Sequence, residues 1–100
     1  MNVQGVEFPE AEIAAICRAS GVVRLSLFGS ILTADFSPDS DVDLLVEFAP
    51  GTNIGLMAFA GLQESLAGVV KRRVHLHTIN MLPPAARATV RGSARVQYAA

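Results

Sequence analysis

One hundred residues, 51% hydrophobic and 17% charged, predict one folded domain and exclude a disordered chain. A net charge of −1 argues against a dedicated nucleic-acid binder, which carries a basic stripe, so no direct nucleic-acid contact is expected. A chain of this length buries roughly 60–70% of its unfolded surface, and a mean hydropathy of +0.41 leaves apolar surface that a partner would cover.

The single cysteine, Cys17, rules out an internal disulfide and fits a reducing cytosol. No apolar run reaches the roughly 20 residues of a membrane span, and the N-terminus has no basic segment followed by an apolar one. The expectation is a cytoplasmic protein without a membrane association.

Pro9 suits the first turn of a helix, where its missing N–H costs nothing. Ile13, Ile16 and Cys17 follow at helical spacing, which reads Cys17 as core, and Gly21 is the stop. Val22 to Phe28 reads as a buried strand. Ser30 to Ala34 forms a short helix after a turn at Gly29. The stretch Asp35-Phe36-Ser37-Pro38-Asp39-Ser40 is loop chemistry.

Val42 to Phe48 is a second strand, ended by Pro50-Gly51-Thr52-Asn53. A second helix runs from about Ile54 to Ala67 with Leu56, Phe59, Leu62 and Leu66 as its apolar stripe; Gly68 ends it. Lys71-Arg72-Arg73 reads as the solvated start of a strand rather than a phosphate-binding patch. That third strand alternates Val74, Leu76 and Thr78 with Arg73, His75 and His77. Pro83 and Pro84 open a last helix over Ala85 to Arg91, stopped at Gly92, and Arg95 to Tyr98 is a short fourth strand in which Tyr98 packs. The order αβ(α)βαβαβ gives an α/β fold: a small mixed β-sheet of three to four strands with helices packed on it.

The chemistry concentrates in Gly29-Ser30 and, ten residues on, Asp41-Val42-Asp43. Residues two apart on a strand point to one side, so Asp41 and Asp43 converge while Val42 and Leu44 face the core. Paired carboxylates repel unless a cation neutralises them, and Mg²⁺ takes one or two carboxylates together with phosphate oxygens. Gly29 lets the backbone approach a phosphate closely. Ser30 offers a hydroxyl and an N–H at the start of a short helix, whose dipole favours anions. Alone, Asp-x-Asp is most often a solvated start of a strand and Gly-Ser merely a turn. Both at this separation, each abutting an apolar strand, favour a site for a metal-chelated triphosphate.

Leu27-Phe28-Gly29-Ser30 followed by Pro38-Asp39-Ser40-Asp41-Val42-Asp43-Leu44-Leu45-Val46 resembles the signature of the minimal nucleotidyltransferases, the MNT group of the polymerase β-like superfamily. The resemblance covers nearly the whole chain, including the helix start near Gly55 and the strand Arg73 to Leu76. It implies the polymerase β-like palm fold. It also implies transfer of a nucleoside monophosphate from a triphosphate, usually ATP, to an acceptor hydroxyl. Asp41 and Asp43 would hold Mg²⁺ as catalytic ligands, and Gly29 and Ser30 would bind the nucleotide. Prokaryotic members of this size are commonly antitoxins that pair with a HEPN-domain ribonuclease toxin and adenylylate it on tyrosine, so a hetero-oligomer with such a toxin is expected.

Two departures stand out. The family carries a third carboxylate on the next strand, where this chain has Val74-His75-Leu76. Imidazole, which ordinarily titrates near neutral pH, suits a base but is a poorer ligand for Mg²⁺ than an oxygen; His75 is therefore the third catalytic candidate. His77 would share its face, and both histidines could equally be surface strand residues. Ile31-Leu32-Thr33 stands where the family carries an arginine-rich stretch suited to bidentate phosphate contacts. Two readings follow: an adenylyltransferase antitoxin, or a degraded transferase fold that neutralises its partner by binding alone. A nucleic-acid polymerase fragment is disfavoured by size and charge.

Overall fold

In the computed structural model, which describes residues 1–100, a small hairpin precedes the first helix. Its strands β1 (Asn2–Val3) and β2 (Val6–Glu7) turn at Gln4-Gly5 and bury Val3 and Val6. Two-residue strands are too short to leave an alternation pattern, and the sequence gives no other sign of them. Helix α1 (Glu10–Ser20) follows. Pro9 caps it from just outside, Glu10 and Glu12 lie in its first turn and Arg18 in its last, as the helix dipole favours. Gly21 ends it in the left-handed conformation, φ 74°.

Strand β3 (Val22–Phe28) runs into a single 3₁₀ turn, Gly29–Leu32, rather than a helix reaching Ala34. Strand β4 (Val42–Phe48) returns antiparallel to it. Helix α2 (Leu56–Val70) runs past Gly68 and closes on Lys71, itself left-handed at φ 59°. Its buried residues are Leu62, Leu66 and Val70, with Phe59 packed partly against them. Leu56, expected in the stripe, is 86% exposed because the first turn of α2 lies beyond the core.

Strand β5 (Val74–His77) pairs parallel with β4. A 3₁₀ turn, Ile79–Met81, leads into helix α3 (Pro84–Ser93), which passes through Gly92. Strand β6 (Arg95–Ala99) then pairs antiparallel with β3, completing a mixed sheet of order β5-β4-β3-β6.

The sheet has two unlike faces. Leu25, Leu27, Val42, Leu44, Val46, Val74 and Leu76 join Ile13 and Cys17 of α1 and Leu62, Leu66 and Val70 of α2 in the main core. The other face holds a small apolar cluster, Phe28, Leu45 and Leu82, with Ile79, Val90 and Ala94 against it. Alternation in β4 therefore sends Val42, Leu44 and Val46 inward and Asp43 to the opposite face. Cys17 is fully buried, and Tyr98 packs against the core. No helix is long and apolar enough to cross a membrane.

Candidate functional site

The candidate residues meet on the sheet's less covered face, at the end where β3 leaves and β4 begins. Across the three strands Phe28 pairs with Asp43, and Asp43 with His75; two residues on, Leu45 pairs with His77. Register thus brings Asp43, His75 and His77 to one patch. Asp41 lies just before β4. Its Oδ2 is 3.3 Å from His75 Nε2, and His77 Nε2 is 3.5 Å from Asp43 Oδ1. One donor atom from each of Asp43, His75 and His77 falls within 4.8 Å of the others. Both carboxylates are about a quarter exposed (26% and 28%), as is His77 (26%), whereas His75 is 60% exposed. The ring of Phe28 meets His77 edge-on at 5.3 Å between centroids.

Gly29 touches this patch through its missing side chain. Its φ is 78°, and a Cβ placed there would overlap Asp43 Oδ2 and lie 3.2 Å from Asp43 Cγ. Glycine is needed both for the backbone conformation and for room beside the carboxylate. Ser30 follows, half-buried, and its carbonyl accepts from Thr33 N and Thr33 Oγ1, both at 2.9 Å. Gly29 and Asp43 are therefore brought together, with Ser30 next in the turn and Asp41 reaching the patch beside His75. The helix dipole invoked for Ser30 is not available on the same scale, because a 3₁₀ turn of four residues aligns few peptides.

Three further residues hold the site, and the sequence reading missed their roles. Gln4 Nε2 donates to the carbonyls of Ile31 and Thr33, each at 2.7 Å, fastening the turn that follows Gly29. Arg72 Nη2 donates to Ser37 O at 3.0 Å and Ser40 O at 2.5 Å, and its guanidinium stacks 4.8 Å from the centre of the Phe36 ring. Arg73 Nε donates to Asp41 Oδ1 at 2.7 Å. The basic run is thus no mere solvated start of β5: two of its three cations grip the loop before Asp41. No local signal could have revealed these contacts, which span 27 to 35 residues. A groove of about 560 Å³, lined by Gln63, Lys71, Arg72, Arg73 and His75 among others, adjoins His75.

The donor set is mixed. Two carboxylates suffice for Mg²⁺ when phosphate oxygens complete its shell, and Arg73 leaves Asp41 Oδ2 facing the site. The two imidazoles offer nitrogen, which suits transition metals better.

A mixed sheet with one carboxylate just before β4 and another at its second residue, beside a glycine turn, is the arrangement of a nucleotidyltransferase palm. The family description "nucleotidyltransferase domain" matches residues 11–96, and the chain belongs to that family. A protein of Methanocaldococcus jannaschii provisionally assigned as a protein adenylyltransferase is 32% identical over 84 residues, covering 84% of this chain and 85% of that protein. A solved structure assigned as a minimal nucleotidyltransferase is 33% identical, with a TM-score of 0.69 and 85% of each chain covered. A toxin–antitoxin complex with AMP-PNP is 20% identical (TM-score 0.71, covering 93% of this chain and 75% of that one). At that identity the likeness establishes the fold.

Proposed function

We propose that this chain is an antitoxin-type nucleotidyltransferase that moves AMP from ATP to a tyrosine hydroxyl of a HEPN ribonuclease toxin and so neutralises it. The observation that carries this reading is Gly29 seated against Asp43, with Asp41 Oδ2 turned to the same patch. The adenylyltransferase assignment of the archaeal relative and the toxin–antitoxin setting of the fold neighbours support it.

In this reading the tyrosine oxygen attacks the α-phosphorus, the bond to the β-phosphate oxygen breaks, and pyrophosphate leaves. Gly29 and Ser30 seat the triphosphate. Asp41 and Asp43 would hold the divalent ion that accompanies it, Mg²⁺ for an oxygen-rich shell. That ion, when bound, offsets phosphate charge. His75 accepts the tyrosine proton in place of the family's third carboxylate; its exposure and the adjoining groove admit a protein acceptor. Arg73 keeps Asp41 oriented.

Incubation with labelled ATP, Mg²⁺ and the toxin encoded beside it should transfer label to a toxin tyrosine. Asp41→Asn and Asp43→Asn should each lower transfer by at least about 100-fold, the scale of one lost electrostatic stabiliser. Absence of transfer by the unaltered protein rejects the enzymatic reading.

The imidazole at position 75 favours a second reading, contact neutralisation by a fold that has lost transfer. His75→Asp separates the two. A rise in activity means the natural site is degraded there, and a fall means His75 has been recruited.

A further inference from the structure

We infer that Asp43, His75 and His77 form a binding site for a divalent first-row transition ion of the Zn²⁺ class, and that this site prefers such an ion to Mg²⁺. Three observations carry it. The donor atoms already lie within 4.8 Å of one another. The His77 Nε2 to Asp43 Oδ1 separation of 3.5 Å is close to the ~3.3 Å edge of a tetrahedron with metal–ligand bonds near 2.0–2.1 Å. The ligands also come from rigid places: Asp43 and His75 are register neighbours in a parallel pair, and His77 is two residues on along the same strand.

Asp41 is a ready fourth donor. Arg73 holds its Oδ1 at 2.7 Å, while its Oδ2 already lies 3.3 Å from His75 Nε2. A metal between these groups replaces contacts that now join carboxylate to imidazole directly, so small side-chain rotations suffice. The Phe28 edge against His77 supplies an apolar wall on one side. Two imidazoles with one or two carboxylates suit Zn²⁺, Co²⁺ or Ni²⁺, whereas Mg²⁺ asks for oxygen throughout. The position that holds a third carboxylate in the family thus changes which metal the patch selects. The ion belongs to the protein alone and needs neither nucleotide nor acceptor.

The site shares Asp43 and His75 with the transferase reading but does not depend on it: an imidazole that ligates the ion is not free to take the tyrosine proton, so the two states exclude one another, and the experiment keeps them apart. Co²⁺ is titrated into the metal-free chain without ATP, followed by visible d–d absorption and calorimetry; AMP transfer is measured separately in Mg²⁺. Stoichiometric Co²⁺ binding with ligand-field bands is expected, displaced by Zn²⁺ and not by millimolar Mg²⁺. His75→Ala and His77→Ala should each weaken Co²⁺ binding by at least about 100-fold, beyond the roughly 10–100-fold that loss of an outer-shell partner costs. His75 is 60% exposed, so its replacement leaves folding intact, and circular dichroism of the metal-free variants checks this. Co²⁺ affinity unchanged in both variants, or displacement by Mg²⁺ as readily as by Zn²⁺, overturns the proposal whatever the transfer assay gives.

Discussion

Gly29 joins backbone conformation to site chemistry in one residue. Its φ of 78° alone disfavours any L side chain, by about 1–2 kcal/mol. A Cβ would add a second cost by driving into the Asp43 carboxylate. Gly51 separates these contributions: it has φ 84° and nothing within 4 Å of its would-be Cβ. Gly51→Ala should therefore lose only the backbone part, lowering Tm by roughly 4–8 °C per kcal/mol for a domain of this size. Gly29→Ala should fall further, and, under the proposed function, it should also weaken nucleotide binding, because Asp43 must move. Thermal unfolding of both variants, with ATP titrated into each, checks this. Equal Tm losses and unchanged nucleotide affinity would mean that Asp43 simply turns away.

At the scale of elements, the loop from Thr33 to Asp41 has little core of its own and is held from the turn between α2 and β5. Arg72 donates to two of its carbonyls and stacks on Phe36, while Arg73 reaches Asp41. Hydrogen bonds from a charged donor are worth about 1.5–3 kcal/mol when well shielded; Arg72 is half-exposed, so a net loss of about 1 kcal/mol is expected for Arg72→Ala. Amide exchange should quicken across residues 35–41 and stay unchanged in β4. Arg72→Lys should not restore protection, since an ammonium cannot lay a plane on the Phe36 ring while its donors reach Ser37 and Ser40. Rescue by lysine would show that charge alone holds the loop. These contacts also mark where sequence reading stops. Alternation in Val42–Phe48 and Val74–His77 identifies the strands and their buried sides, because a period of two is a local property, whereas the meeting of Asp43 with His75 follows from the parallel register of β4 with β5. The end of α2 at Lys71 instead of Gly68, the two-residue strands at Val3 and Val6, and the Gln4 and Arg72 staples depend on distant partners, which no local pattern encodes.

Over the whole molecule, the apolar surplus divides into a main core on one sheet face and exposed side chains elsewhere, among them Leu56 and Met57 at 86% and 90% exposure. Cys17 sits at the centre of that core, wholly buried where α1 meets the sheet and α2. Burial penalises its thiolate and pushes the thiol from an ordinary 9.0 up to about 11. The sign of the linkage follows. Below pH 9.0 the thiol is protonated folded or unfolded, and its contribution is fully present. Between 9.0 and about 11 the unfolded chain sheds the proton first, so stability falls as pH rises. The fall is on the order of 2–3 kcal/mol across that window. The measurement is a difference between two chains that share every other ionisable group. Denaturant unfolding of the natural chain and of Cys17→Ala is followed from neutral pH to about pH 11. The variant carries a pH-independent cavity cost and lacks the thiol, so the two stability curves should converge as pH rises. Native Cys17 should also resist iodoacetamide until the core opens, because the thiolate is the reactive form and the buried site withholds it. Parallel curves together with rapid labelling of the folded protein would place Cys17 outside the sealed core.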